Sequence, residues 1–187
     1  MPQNNPNRSE KDYNVEYREV KYPRLEFKTG KLLLILPKNT KEEQRILKKH
    51  QKWITQKEAI IKKALEDAKK KTLNLERTNS ELKDLVISIV NSYKSKFDAK
   101  VNQIFFRRMK TKWASYSNKG NLTINTQLRY LTSELIKYVI FHEMAHSIER
   151  KHNDRFWRII EKEFNDFSKK ERELLVNWFS IQKEVNQ

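Results

Sequence analysis

The stretch FHEMAHSIERKHNDRFW, Phe141 to Trp157, holds three of the chain's four histidines within eleven residues, and a glutamate directly follows the first. His142, Glu143 and His146 form the pattern H-E-x-x-H. On a helix, residues four apart share a face, about 40° apart around the axis and about 6 Å along it. Two imidazoles so placed close on one zinc ion at roughly 2.0–2.1 Å each. Glu143 projects beside the pair, where its carboxylate reaches a water on the metal without being a ligand. A catalytic zinc takes three protein ligands and keeps one position open, and His152 is the third ligand on this reading. A continuous helix would carry His152 about 9 Å beyond His146. The chain must therefore leave the helix after about Glu149 and fold back. Asn153 suits the N-cap of a new helix carrying Phe156, Trp157, Ile159 and Ile160.

Ile136, Val139, Ile140, Phe141 and Ala145 mark the first helix as buried, and buried polar groups need partners that a metal supplies. His50, in KKHQKW, reads instead as a helix-surface residue. Spacing sorts the zinc peptidase classes. A metzincin places its third histidine at the interval of His152, but Glu149 stands at the glycine position and no methionine follows Met144 to make a Met-turn. In the thermolysin-like arrangement a downstream glutamate is the third ligand, and Glu161 and Glu163 are the candidates for it. Three imidazoles also suit cobalt, nickel or copper.

The elements that must position this cluster follow from pattern. Two β-rich segments, Tyr13–Tyr22 and Leu25–Leu36, open the chain after a polar tail over residues 1–12 that reads as disordered. The chain has two glycines, and each sits where a hairpin would turn: Gly30 in EFKTGKLLLIL and Gly120 in KWASYSNKGNLTINTQL. Thr40-x-x-Glu43 reads as a capping box before a helix running to about Lys70. Thr78-x-x-Glu81 is a second, before a stripe of Leu82, Leu85, Val86, Ile89, Val90, Tyr93 and Phe97. A strand near Val101–Met109 and the Gly120 hairpin precede the histidine helix, which Thr132 or Ser133 caps and which runs through Ile148. One further helix starts at Asn153, and another at a third capping box, Ser168-x-x-Glu171. This is an α+β chain, with no internal repeat and no low-complexity linker.

Composition bounds the rest. A chain of 187 residues is long enough for one domain with a proper core. With no cysteine, neither a disulfide framework nor a thiolate metal site is available. The start, MPQNNPNRSEKD, lacks the apolar core of a signal peptide, and no run approaches the roughly 18 apolar residues of a membrane span. A soluble, cytoplasmic protein is expected, with no membrane partner. The net charge of +16 suits a nucleic acid or another polyanion, or a solvated lysine-rich surface. In Arg107-Arg108-Met109-Lys110-Thr111-Lys112-Trp113, four cations and an aromatic stand beside the Gly120 hairpin. They either bind phosphates, with Trp113 stacking on a base, or form a strand with a basic outer face and a buried tryptophan.

KTKWASYSNKGNLTINTQL and YVIFHEMAHSIERKHNDRFW, and more faintly YPRLEFKTGKLLLILP and KKHQKWI, resemble the YgjP-type metal-dependent hydrolases, a group related to SprT-like and WLM zinc peptidases. The resemblance extends over roughly Tyr17 to Phe164, and Lys110 to Trp157 is its specific part. The family pattern, close to R-W-G-S-C-s-x-x-G-x-I-x-L-N, falls on Lys112, Trp113, Ala114, Ser115, Tyr116, Gly120, Leu122, Ile124 and Asn125. Ala114 and Tyr116 replace the usual glycine and cysteine. The resemblance implies a small antiparallel or mixed sheet with hairpins packed on the zinc helix. It also implies one zinc ion held by His142, His146 and His152, with Glu143 as catalytic base. Phe156 and Trp157 match the family's aromatic pair, anchoring the helix after His152. Residues 13–187 would then be a single zincin-like metallohydrolase domain. Residues 13–75 would form an N-terminal β-hairpin and long-helix subregion, and 76–187 the catalytic core.

Zinc lowers the pKa of its water toward about 7, and Glu143 takes the proton and delivers it to the leaving group. Tyr116 and Tyr130 are candidate donors to the oxyanion. A peptide or protein substrate would pair along an exposed strand edge, with Asn121–Leu128 the candidate. The same metal site could serve a nucleotide, releasing pyrophosphate, with Arg107, Arg108, Lys110 and Lys112 on the phosphates and Trp113, Tyr116 and Asn125 alongside. A third reading is a basic nucleic-acid-binding module with structural zinc, which leaves Glu143 without a purpose.

Overall fold

The computed structural model describes residues 13–40, 42–97 and 101–185. The tail expected over residues 1–12 lies outside them. The chain divides into two compact units, Met1–Lys63 and Ala64–Gln187. The architecture is α+β, with five helices and two mixed three-stranded sheets among the described residues.

The first unit holds β1 (Tyr13–Arg18), β2 (Arg24–Lys28), β3 (Lys31–Pro37) and most of α1 (Glu43–Ala68). Its strand order is β1-β3-β2. β2 and β3 form the expected hairpin around Gly30, with Lys28 opposite Lys31. Both loop residues have positive φ, 50° at Thr29 and 86° at Gly30, as a two-residue type I′ turn requires. β1 instead pairs with β3 in parallel, so β3 is the central strand. Leu32, Leu34 and Leu36 share one face of it and pack with Leu47 and Ile54 of α1. The capping box expected at Thr40 and Glu43 does not form. Glu43 is the first helical residue, and its carboxylate accepts from the Tyr13 hydroxyl.

The second unit carries the histidines. The Thr78–Glu81 capping box forms as expected: the Thr78 amide donates to Glu81 Oε2 at 2.7 Å, and the Glu81 amide to Thr78 Oγ1 at 3.2 Å. It starts α2 (Asn79–Phe97), whose buried stripe runs through Leu82, Val86, Ile89, Val90, Tyr93 and Phe97. The second sheet comprises β4 (Gln103–Arg107), β5 (Ala114–Tyr116) and β6 (Asn121–Asn125), in the order β4-β6-β5. β5 and β6 are the hairpin, turning at Gly120 with φ 70°, while β4 joins β6 in parallel. β6 thus has a neighbour on each side. It cannot take a substrate strand, which overturns the expectation for Asn121–Leu128. The edges of this sheet are β4 and β5.

A short 3-10 helix (Thr126–Tyr130), α3 (Ser133–Ala145), α4 (Asp154–Glu163) and α5 (Phe167–Glu184) complete the unit. Thr132 caps α3, its side chain accepting from the Leu135 amide. α3 is apolar on nearly every side: Leu135, Ile136, Tyr138, Val139, Ile140, Phe141, Met144 and Ala145 are all buried. They lie in one core with the α2 stripe, Leu122 and Ile124 of β6, and Phe156, Ile160 and Phe164. Phe141 sits edge-on to Tyr93, Phe97 and Phe164, with centroids 5.0, 4.8 and 5.4 Å away. A helix so enclosed offers only its last turn to a ligand, and that turn holds the H-E-x-x-H residues.

Candidate metal centre

α3 ends at Ala145, a turn earlier than the expected Ile148, because the backbone tightens. The amides of Ser147 and Ile148 donate three residues back, to Met144 and Ala145. The chain then folds back, and Asn153 caps α4 by accepting from the Phe156 amide at 3.1 Å. This break brings His152 to the two helix histidines. Ligand atoms of His142, His146 and His152 all lie within 4.8 Å of one another.

The ring nitrogens are sorted. His142 Nε2 and His152 Nε2 are 2.9 Å apart and face a common point. Two nitrogens on one tetrahedral zinc at 2.0–2.1 Å would be roughly 3.3 Å apart, so the pair is close to ligand spacing. His146 turns its Nδ1 outward to the Glu149 carbonyl at 3.0 Å, a partner that fixes its tautomer and leaves Nε2 for the common point. Phe156, fully buried, stacks on His146 at 4.7 Å, and Trp157 stacks on His152 at 5.8 Å. The aromatic pair therefore anchors α4 and also braces two of the imidazoles.

Burial, with His152 and His146 nearby, pushes the His142 imidazole down to about 3. Burial and His146 lower His152 as well. Rings held neutral near neutral pH keep their lone pairs for an ion. Neutral His142 and His152 rings at ligand spacing, beside a His146 ring whose outward nitrogen is anchored on a carbonyl, are what a divalent metal needs. The donor set fits.

Glu143 lies beside the cluster, not in it. Its Oε2 accepts from the Tyr116 amide on β5 at 2.8 Å. Burial raises its carboxyl, while His146, the Tyr116 hydrogen bond and Lys112 pull the other way. The histidines, Glu143, Lys112, Trp113 and Tyr116 line a cleft of about 700 Å³.

Other expected site residues are dispersed. Trp113 meets the cleft, but its ring packs edge-on against Trp178 at 4.9 Å and is not presented for stacking on a base. Asn125 is 0% exposed. Its side chain holds Met109, Lys112 and Gln127 backbone groups, so it shapes the loop before β5. Arg107 ends β4 on its exposed side, Lys110 is exposed, and neither lines the cleft. Arg108 lines a separate cavity of about 170 Å³. Tyr130 lines that same cavity, with its hydroxyl accepting from Arg129, so it is no oxyanion donor for this cleft. Glu163 is engaged by the Tyr93 hydroxyl and Lys96. Neither it nor Glu161 belongs to the ligand cluster.

One residue of the cleft was missed by pattern. Glu171 is expected in a capping box with Ser168, but the N-cap of this helix is Asp166. α5 begins at Phe167, and the Glu171 carboxylate points into the cleft beside His142.

The family model for the YgjP-like metallopeptidase domain matches residues 56–177, more than half of the chain. The chain belongs to the YgjP-like family. This YgjP-like chain therefore carries the domain of a metal-dependent peptidase, a hydrolase. Among solved structures it is similar to the metallopeptidase zymogen jannalysin of Methanocaldococcus jannaschii. The identity is 28%, covering 48% of this chain and 90% of that one, with a TM-score of 0.42. It is also similar to the metallopeptidase zymogen abylysin of Pyrococcus abyssi. There the identity is 24%, covering 55% and 96% of the two chains, with a TM-score of 0.43. No curated protein matches it. No helix among the described residues is long and apolar enough to cross a membrane.

Proposed function

We propose that this YgjP-like protein is a zinc peptidase in which His142, His146 and His152 hold one ion and Glu143 is the catalytic base. The observation that carries the reading is Glu143 itself: a part-buried carboxylate, tied to the edge strand by one oxygen, beside three clustered imidazoles in an open cleft. A divalent ion held there supplies an acidified water near neutral pH and a Lewis-acid contact for a carbonyl oxygen. With Oε2 fixed on Tyr116, the other oxygen of Glu143 takes the proton of the attacking water and passes it to the departing amine. Burial raises the Glu143 carboxyl and so strengthens it as a proton acceptor.

Substrate is an extended peptide that adds along the β5 edge. Ser117 N–H and Trp113 C=O bond to β6, so by alternation the Tyr116 backbone faces away from β6, its N–H toward Glu143. Ala114 is buried, at 4% exposure, so pairing runs from Tyr116 toward the exposed Ser117 and Asn118, which also line the cleft. Of the Arg107–Lys112 run, only Lys112 lines the cleft, which weakens the nucleotide alternative. A purely structural zinc leaves Glu143 and the cleft unexplained.

The test is cleavage of an unfolded protein by the zinc-loaded chain beside Glu143→Ala, with and without single-stranded DNA. Cleavage lost in the variant with zinc still bound supports the reading, and stimulation by DNA would give the basic surface a role. A variant as active as the parent overturns it. Release of pyrophosphate from nucleotides without any peptide cleavage would transfer the same site to the nucleotide reading.

A further inference from the structure

His146 turns its outward nitrogen to a backbone carbonyl, and His142 has a different outer environment. With His142 Nε2 facing His152, its Nδ1 points away from the cluster, toward Glu171. Glu171 Oε1 lies 3.7 Å from that nitrogen and accepts from the Tyr138 hydroxyl. Tyr138 is fully buried on α3, one turn before His142, so it is a rigid tether. Burial and the neighbouring Glu171 carboxylate both raise the Tyr138 hydroxyl, so it remains a donor.

Glu171 stands on α5, nearly thirty residues beyond His142, five positions after the N-cap Asp166. Among its partners are a tyrosine and an imidazole from another helix, α3. A carboxylate beside the outer nitrogen of a ligating histidine holds the ring in one tautomer and raises its basicity.

We infer that Glu171 is the positioning residue of His142: it accepts a hydrogen bond from the Nδ1–H, keeps Nε2 free for the ion, and is held in place by Tyr138. The 3.7 Å separation is longer than a hydrogen bond, so the role requires the carboxylate to move closer when the ion is held. Each α3 histidine thus has its own outer acceptor, a backbone carbonyl for His146 and a carboxylate from α5 for His142. The inference rests on the three-histidine metal site proposed above.

The measurement is zinc affinity by competition with a chromophoric chelator, for the full chain and for Glu171→Gln, Glu171→Ala, Tyr138→Phe and His152→Ala. Glu171→Gln keeps the side-chain volume and an acceptor for Tyr138, so it preserves the packing. The expected result is a loss of zinc affinity on the order of 10- to 100-fold in both Glu171 variants and a smaller loss in Tyr138→Phe. The visible spectrum of the cobalt-substituted protein should shift, because the field of one ligand has changed. A purely structural role would lower the melting temperature of the metal-free protein and leave the affinity within about twofold. That result overturns the inference. If His152→Ala also bound zinc like the parent, the metal-site reading itself would fall, so the two failures are separable.

Discussion

Glu143 Oε2 lies 2.8 Å from the amide nitrogen of Tyr116, so a helix residue and a strand residue 27 positions apart are joined by one hydrogen bond. The bond fixes the carboxylate at the mouth of the cleft and comes from an outward-facing amide that the β5–β6 ladder does not use. Proline at that position of an edge strand therefore costs no ladder bond. Tyr116→Pro should leave zinc affinity unchanged and lower kcat. One lost charge-assisted hydrogen bond of about 1.5–3 kcal/mol, expressed in the transition state, corresponds to roughly tenfold or more. Steady-state kinetics on a quenched fluorescent peptide would read it, and an unaltered kcat would show that the Tyr116 amide does not position the base.

Chelation should abolish peptide cleavage, and stoichiometric zinc should restore it. The same ion should stabilise the fold, because it joins the end of α3 to the turn before α4. At a free concentration about a hundredfold above Kd, the gain is about 2.7 kcal/mol. His152→Ala should remove most of this thermal shift. Calorimetry with and without chelator measures it, and a His152→Ala protein stabilised as much as the parent would exclude that ligand.

The core of the second unit turns on Phe141. Phe141→Ala empties the space among Tyr93, Phe97 and Phe164 and should cost about 3–5 kcal/mol in the metal-free protein. Urea unfolding should show a lower midpoint with the slope unchanged. A cost under about 1 kcal/mol would mean that the neighbours collapse into the gap.

Glu163 gives a pH signature away from the metal cluster. Lys96, and then the Tyr93 hydroxyl, hold its carboxyl below the ordinary value of 4.5. A carboxyl lowered in the folded state stabilises above its unfolded pKa and loses that contribution as pH falls through the folded value. The melting-temperature gap between the parent and Glu163→Gln should be full near pH 7 and shrink as pH drops below about 4.5. A gap that does not change over this range would show that the Lys96 and Tyr93 contacts are energetically silent.

What was legible in the sequence was local. The three histidines, the break before Asn153 and the Thr78–Glu81 box each depend on residues a few positions apart, and helix geometry decides them. At two of the three expected capping boxes the helix begins at another position, Glu43 and Phe167, and in both the glutamate meets a tyrosine distant in sequence. Tyr13 takes Glu43 and Tyr138 takes Glu171. Likewise, strand alternation left Trp113 either packed or stacked on a base, and its packing partner, Trp178, comes from the far end of the chain. The parallel pairings β1–β3 and β4–β6 are also non-local, and hairpin logic has no view of them. Which strand edge stays open therefore had to come from the structure.

The strand order that opens β5 to the cleft leaves β4 bare at the other end of the same sheet. This five-residue strand pairs with β6 on one side only, with Phe105 44% exposed and Arg107 its only formal charge. Such an edge is a template for another copy of the chain. No helix or bulge needs to guard it while every copy carries a net charge of +16 and repels the next. Near 1 M salt the screening length shrinks to about 3 Å and that repulsion disappears. Ionic strength is thus the variable on which the colloidal behaviour of this protein turns, and β4 is where clumping would begin.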